Sequence, residues 1–218
     1  SSDMAVEYVC GEKLSRPSVT APAKGFTLEG FGGEMKRIAL MTVCFAVAEP
    51  VLAHETMIFE TNADEDWCSV INETAMPGDI IRLAPGDYMG PCAISRTPPE
   101  EQDEYTIVMS LDPENPARIL HDGESSTQLT VEGDQVMLLS LDFGPVPNEV
   151  IPVEVVGHRE IWIRYNRFAQ HSGTAVKVSG AVDGLHILDN DFEAVELPID
   201  LDLGQEGSWV DLGYNRIR

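Results

Sequence analysis

Glu154, Lys177 and Asp200 are the first residues whose types and spacing suggest chemistry. They lie 23 residues apart, and each stands between two apolar residues in a strand-like stretch. A column of carboxylate, lysine and carboxylate is a candidate polar centre in a groove. The alternative is a surface ladder of opposite charges, in which each pair contributes roughly a few tenths of a kcal/mol.

Asp202 extends the same face, two residues after Asp200. Carboxylate oxygens are ligands that Ca²⁺ prefers, so these two aspartates form a candidate calcium site. Calcium is the one cofactor that the sequence suggests.

A second outward-facing column contains Trp162 and His186, flanked by Met137 and Asp211. Arg164 follows Trp162 by two residues and therefore shares its face of the strand. An exposed tryptophan beside an arginine suits stacking on a sugar ring and binding of a carboxylate. The alternative is a loop that covers this face and buries the tryptophan.

Both columns depend on strands that repeat about every 24 residues. Residues 161–168, 185–192 and 210–217 share alternating apolar positions, and a second strand series repeats at Val131, Val155, Val178 and Leu201. A fixed period of this size is the signature of a solenoid in which each repeat forms one coil. The sequence therefore predicts an all-β fold, a right-handed parallel β-helix of about six coils, with alternate apolar residues forming its core.

Three asparagines occupy one position of this repeat. Asn166, Asn190 and Asn215 are 24 and 25 residues apart. In stacked coils they would form a ladder of carboxamides inside a turn, and each amide could bond the coil above and the coil below. The asparagines are therefore predicted to be structural.

The first 53 residues differ from the rest. Residues 1–34 lack periodicity and are predicted to be a leader or an over-extended start. Residues 35–53 combine a basic start, an apolar run and small residues before His54, which is the pattern of a secretory signal peptide. The apolar run is too short to span a membrane. A secreted or periplasmic protein is expected, with residues 54–218 as its domain; the alternative is that the apolar run is a buried element.

The two ends of the domain carry different expectations. An N-terminal cap is predicted near Trp67. At the other end, Arg218 follows Ile217, which occupies the slot filled by Phe143, Phe168 and Phe192 in earlier coils. The domain is therefore expected to be truncated at its C-terminus, as part of a longer solenoid whose terminal coil would carry a polar cap.

Two of the four cysteines lie within the predicted domain. Cys68 and Cys92 are 24 residues apart, which is one coil length. Cysteines stacked in adjacent coils are close enough for a disulfide, and such bonds persist in exported proteins.

Charge narrows the choice of partner. The 218 residues carry a net charge of −23. Nucleic acid is therefore not expected as a partner, because phosphate binding needs a basic face. An acidic surface also repels anionic polysaccharide unless cations bridge the two.

The opening of the domain carries a family resemblance. Residues 66–68 and 77–88 contain a Pro-Gly-Asp turn, a short strand and an Ala-Pro-Gly turn before Tyr88. This phrase resembles the first coil of right-handed parallel β-helix proteins of the pectate-lyase-like superfamily, including chondroitinase B and alginate lyases. The later Asn-x-Phe coils resemble its generic repeat, and the paired cysteines resemble exported bacterial β-helix proteins of unassigned function. The resemblance covers residues 66–218.

The resemblance implies a carbohydrate-related role, as a lyase-like or hydrolase-like enzyme or a sugar-binding protein, with a polysaccharide as the partner. Lyases of this fold use a basic residue to abstract a proton and a cation to neutralise a uronate. On this basis the catalytic candidates are Lys177, Arg164 and Asp200, and the substrate-binding candidates are Trp162, His186 and Glu154. The alternative is a non-catalytic surface module that displays an acidic face.

Overall fold

The computed structural model describes residues 55–98, 104–147, 149–157, 159–204 and 208–218. The leader expected over 1–34 and the signal peptide expected over 35–53 lie outside these residues. The strands of the described part are β1 (Ile58–Thr61), β2 (Ile80–Leu83), β3 (Asp87–Met89), β4 (Cys92–Ile94), β5 (Thr106–Ser110), β6 (Arg118–Leu120), β7 (Thr127–Val131), β8 (Val136–Leu139), β9 (Asp142–Phe143), β10 (Ile151–Val156), β11 (Arg159–Arg164), β12 (Arg167–Ser179), β13 (Asp183–Leu188), β14 (Asp191–Asp202), β15 (Trp209–Gly213) and β16 (Arg216–Ile217).

All the strand pairs are parallel, and they form two long sheets. Sheet A has the order β1-β2-β5-β8-β11-β13-β15, so the chain returns to it once per coil. Sheet B contains the remaining strands. Its long strand β12 pairs with β9 through Arg167 and Phe168, and with β10 through Val176–Ser179. The predicted parallel β-helix of about six coils is therefore confirmed.

The predicted core column lies in register. Val155 pairs with Val131 and Val178, and Val178 pairs with Leu201. The three valines are fully buried, whereas Leu201 is 36% exposed. The core expectation for Leu201 is corrected because, among the described residues, β16 covers only Asp191 and Phe192 of β14.

A left-handed backbone turn joins sheet A to sheet B in four coils. The residues in this turn are Ser140, Tyr165, Asp189 and Tyr214, with φ angles of 56°, 60°, 56° and 58°. Each directly precedes the position of the asparagine repeat. This conformation is uncommon outside glycine, and it lets the chain leave one sheet and enter the next within a few residues.

The three asparagines hold these turns together by hydrogen bonds between coils. Asn166 Oδ1 accepts from the Leu141 N–H at 2.9 Å, and Asn190 Oδ1 accepts from the Asn166 N–H at 2.9 Å. Asn215 Oδ1 accepts from the Asn190 N–H at 3.0 Å. Their amide groups donate to the carbonyls of Leu138, Ile163 and Ile187 at 2.9, 2.8 and 2.7 Å. Each carboxamide therefore satisfies two backbone groups of the preceding coil.

Phenylalanines stack inside the solenoid two residues after Leu141, Asn166 and Asn190. The Phe168 ring lies between Phe143 and Phe192, with centroid distances of 4.8 and 4.9 Å and nearly parallel planes. All three rings are fully buried. The turn thus has a polar ladder at its corner and an apolar column behind it.

The first coil is closed by a short helix, in agreement with the expected cap. Helix α1 (Trp67–Ser69) continues as a π-helical turn over Val70–Thr74. Trp67 is buried, and its Nε1 donates to the Met89 carbonyl at 2.9 Å. Cys68 forms the predicted disulfide with Cys92 of β4, with 5.4 Å between their Cα atoms. None of the described helices is long and apolar enough to cross a membrane.

Candidate functional site

The column of Glu154, Lys177 and Asp200 lies in register on sheet B, as the periodicity indicates. Lys177 Nζ is 3.5 Å from Glu154 Oε1, with side chains 37% and 22% exposed. This is the geometry of a charge ladder on a sheet face, and such a half-exposed pair contributes little to stability. The catalytic role of Lys177 and Asp200 and the substrate-binding role of Glu154 stay predictions.

Asp200 and Asp202 lie two residues apart on β14. Among the described residues, no group of three or more His, Cys, Asp or Glu side chains could hold a metal ion. Two aspartates supply fewer oxygen atoms than the six to eight that Ca²⁺ takes. A calcium ion there would need further ligands, such as water or substrate, and the site stays a prediction.

Trp162 lies in an aromatic cluster on sheet A. Its ring stacks on His186 with 3.7 Å between centroids and 13° between planes. His186 is only 8% exposed, and Trp209 contacts it edge-on at 4.7 Å. The neighbouring coil, rather than a loop, therefore covers one face of Trp162, and the three rings form an aromatic cluster on sheet A. The substrate-binding role of Trp162 and His186 stays a prediction. Trp209 was not predicted and is 52% exposed.

Arg164 is bound by a neighbouring side chain. Its Nε donates to Asp189 Oδ2 at 2.8 Å, and its guanidinium lies 4.5 Å from the centre of the Tyr165 ring. Arg164 belongs to sheet A, whereas Lys177 and Asp200 belong to sheet B. The three catalytic candidates therefore do not form one cluster.

The described surface has a groove that the sequence analysis did not predict. A cavity of about 660 Å³ is lined by Glu114, Pro116, Asp142, Tyr165 and Arg167, among others. A second cavity of about 410 Å³ is lined by Asp87 and Arg118 and shares Pro116 and Asp142 with the first. The two cavities are therefore adjacent, and we call them together the Asp142 groove.

A ladder of alternating charges runs along the Asp142 groove and continues beyond it. Six residues pair in register across successive coils, in the order Asp87, Arg118, Asp142, Arg167, Asp191 and Arg216. Arg118 holds Asp87 with two hydrogen bonds of 2.8 Å. Arg167 lies 3.4 Å from Asp142 and 3.0 Å from Glu193. The first four members line the groove, and the last two continue beyond it.

Asp142 is a largely buried acid of this ladder. Its side chain is only 16% exposed. Burial raises the pKa of the Asp142 carboxyl, and the neighbouring Arg167 and Arg118 guanidinium groups only partly offset this effect. A carboxyl with a perturbed pKa in a concave site marks a candidate functional residue.

The groove presents both an aromatic wall and hydrogen-bonding groups. Tyr165 is 54% exposed, and because the Arg164 guanidinium lies over one face of its ring, the opposite face is the one available to a ligand. The arginine and aspartate side chains beside it donate and accept hydrogen bonds, as sugar hydroxyls also do. The sequence carries a signal for the ladder, because Asp142, Arg167, Asp191 and Arg216 each follow the slot of the asparagine repeat. The wall formed by residues 113–116 lies outside the repeat and has no such signal.

His171 lies outside this groove and is almost completely buried, with 1% exposure. Burial lowers the pKa of His171 from 6.5 to about 4. The folded state therefore binds this proton less readily than the unfolded chain. The contribution of this pKa difference to the free energy of unfolding is complete above pH 6.5. It is lost as the pH falls toward 4, by up to about 3 kcal/mol.

A substitution of His171 tests this linkage. We expect His171→Gln to reduce the acid sensitivity of the protein, although the variant itself can be less stable at pH 7.5. Urea midpoints of both proteins should be measured from pH 7.5 to 4.5. The midpoint of the natural protein should fall more steeply than that of the variant between pH 6.5 and 4.5. Parallel curves over this window would contradict the assignment.

Comparisons with known proteins add a weak structural likeness. No protein-family model and no curated protein matches this chain. Among solved structures, it is similar to the crystal structure of an alginate lyase from Paenibacillus sp. str. FPU-7, with 14% sequence identity, a TM-score of 0.41 and coverage of 74% of each chain. A likeness at this level carries no argument about activity. The fold of the chain is established by its own strand pairing.

Proposed function

We propose that this protein binds a polysaccharide, and that the saccharide lies in the Asp142 groove. The observation that carries the proposal is one concave surface that combines an exposed aromatic ring, Tyr165, with the polar ladder of Asp87, Arg118, Asp142 and Arg167. Aromatic rings contact the apolar faces of sugars, and fixed polar side chains select the orientation of the hydroxyls.

The direction of the groove supports an extended ligand. The ladder residues occupy successive coils, and neighbouring parallel strands lie about 4.8 Å apart. Polar groups therefore repeat along the solenoid axis at a spacing of about 4.8 Å, comparable to the length of one sugar unit. A polysaccharide running along the axis would meet aspartate and arginine side chains at alternate coils.

Export is part of the proposal. The disulfide between Cys68 and Cys92 supports an oxidising compartment, because such bonds are rare in the cytosol. The signal-like pattern over residues 35–53 points the same way. An exported protein meets polysaccharides outside the cell, so the proposed location is consistent with the proposed ligand.

Binding is better supported than catalysis. A lyase needs a base and a positive charge that is available to the uronate. Lys177 and Arg164 are each paired with a carboxylate, which makes them less available for that work. The competing proposal, an acidic surface module, predicts no saccharide binding at the groove.

A tyrosine substitution tests the site. Tyr165→Ala is expected to weaken saccharide binding about fivefold, which corresponds to about 1 kcal/mol for loss of an aromatic contact. The purified domain should first be applied to a glycan array, and the best ligand then measured by titration calorimetry. Tyr214→Ala is the matched control, because Tyr214 has the same backbone conformation, is 90% exposed and does not line the groove.

The outcomes separate the alternatives. Loss of affinity in Tyr165→Ala alone supports the groove. Equal affinity in both variants and the natural protein would place the saccharide elsewhere. A complete lack of binding across the array favours the acidic surface module.

A further inference from the structure

We infer that Asp142 is a specificity-determining residue that makes the groove select uncharged saccharides and reject uronates. This inference rests on the proposed function, since it names the class of saccharide that the same groove accepts. It differs from the lyase-like expectation, in which a uronate is the substrate.

The first observation is that the cations of the groove are already engaged. Arg118 forms two parallel hydrogen bonds to Asp87, the strong fork arrangement of a guanidinium and a carboxylate. Arg167 contacts Asp142 and Glu193 through different nitrogen atoms. A uronate carboxylate could therefore use only the remaining N–H donors of these arginines, whose positive charge the bound carboxylates already offset.

The second observation is the balance of charge. Asp87, Glu114 and Asp142 line the groove, against Arg118 and Arg167. The whole chain carries a net charge of −23. A uronate therefore meets an excess of negative charge both in the groove and at a distance, and this repulsion weakens with salt.

The third observation is the position of Asp142. It pairs in register with Arg118 on one side and Arg167 on the other, and it lines both cavities. Its carboxylate lies 3.4 Å from Arg167, so a ligand anion bound to that arginine would lie close to a second negative charge. A sugar hydroxyl has no such conflict, because it can accept from an arginine N–H and donate to the carboxylate at the same time.

The experiment compares oligosaccharides that differ only in the oxidation of C6. Mannohexaose and hexamannuronate of the same linkage form one pair, and a glucose hexasaccharide with its glucuronate counterpart forms another. Dissociation constants should be measured for the natural protein at low and at physiological NaCl. We expect the neutral member of the better-bound pair to bind at least about tenfold more tightly at low salt. Added NaCl should raise the affinity for the uronate and leave the neutral sugar unchanged.

Two variants assign this preference to one side chain. Asp142→Asn keeps the shape and one acceptor oxygen, replaces the other oxygen by an NH2 donor and removes the charge. It should therefore improve the relative affinity for the uronate by about tenfold or more. Asp191→Asn is the matched control, because it removes a charge from the same ladder outside the groove and should leave the preference unchanged. Circular dichroism and Tm establish that both variants fold. The measurements on the natural protein test the preference for neutral sugars even if Asp142→Asn does not fold.

The failures are distinguishable. If the natural protein prefers the uronate member, the inference is overturned while the saccharide-binding proposal stands. If it prefers the neutral member but Asp142→Asn does not change the ratio, the role of Asp142 is overturned. If neither member of any pair binds to the natural protein, there is no saccharide affinity that Tyr165→Ala could reduce. The proposed function itself then fails.

Discussion

Replacing Asn190 with leucine is expected to lower the free energy of unfolding by about 2–6 kcal/mol. Two buried backbone groups lose their partners, the N–H of Asn166 and the carbonyl of Ile163. Each buried group that is left without a hydrogen bond costs about 1–3 kcal/mol. Leucine has the same number of side-chain heavy atoms as asparagine, but it cannot replace either bond.

Thermal unfolding checks this expectation. For a domain of this size, the loss corresponds to a decrease in Tm of at least about 4 °C. Asn115→Leu is the control, because Asn115 is exposed and the same change of side chain should alter Tm little. A Tm of Asn190→Leu that equals the control value would mean that the carboxamide ladder does not stabilise the solenoid.

Breaking the disulfide is expected to cost about 3.5 kcal/mol. The cysteines are separated by 24 residues, and closing a loop of that length restricts the unfolded chain by about this amount. Replacing both Cys68 and Cys92 with serine should therefore lower the urea midpoint without changing the fold. The bond also ties the helical cap at Trp67 to β4, so the first coil should lose protection against hydrogen exchange before the later coils.

Reductant provides the internal control for this prediction. The natural protein should shift to the midpoint of the double serine variant when dithiothreitol is added. The variant itself should not respond. If oxidised, reduced and variant proteins share one midpoint, the cross-link does not contribute to stability.

The fold could be predicted from the sequence because each coil of a solenoid repeats the same residue pattern at a fixed spacing. Spacing alone predicts one inward-facing column, formed by Val131, Val155 and Val178. The strands pair in that register. The asparagine positions follow from the same argument, since a polar residue repeated at the coil period must be stacked. The Cys68–Cys92 bond also follows from coil length and geometry.

The site was less accessible to sequence reasoning, for two physical reasons. Periodicity places Trp162 and His186 on one face, but it does not say that their rings stack on each other and hide their surfaces. The Asp142 groove depends on residues 113–116, which are not part of the repeat. A concave surface arises where the chain departs from its period, and no repeat pattern describes such a departure.

The carboxamide ladder also gives the solenoid a direction. Each asparagine completes the hydrogen bonds of the coil that precedes it in the chain, as Asn190 does for Asn166 and Ile163. A coil thus depends on its C-terminal neighbour. A force applied at the C-terminal end should remove coils one at a time, and each loss exposes unpaired groups that weaken the next coil. Under tension the molecule should therefore begin to unfold at its C-terminal end. It should unfold in a series of small events rather than in one.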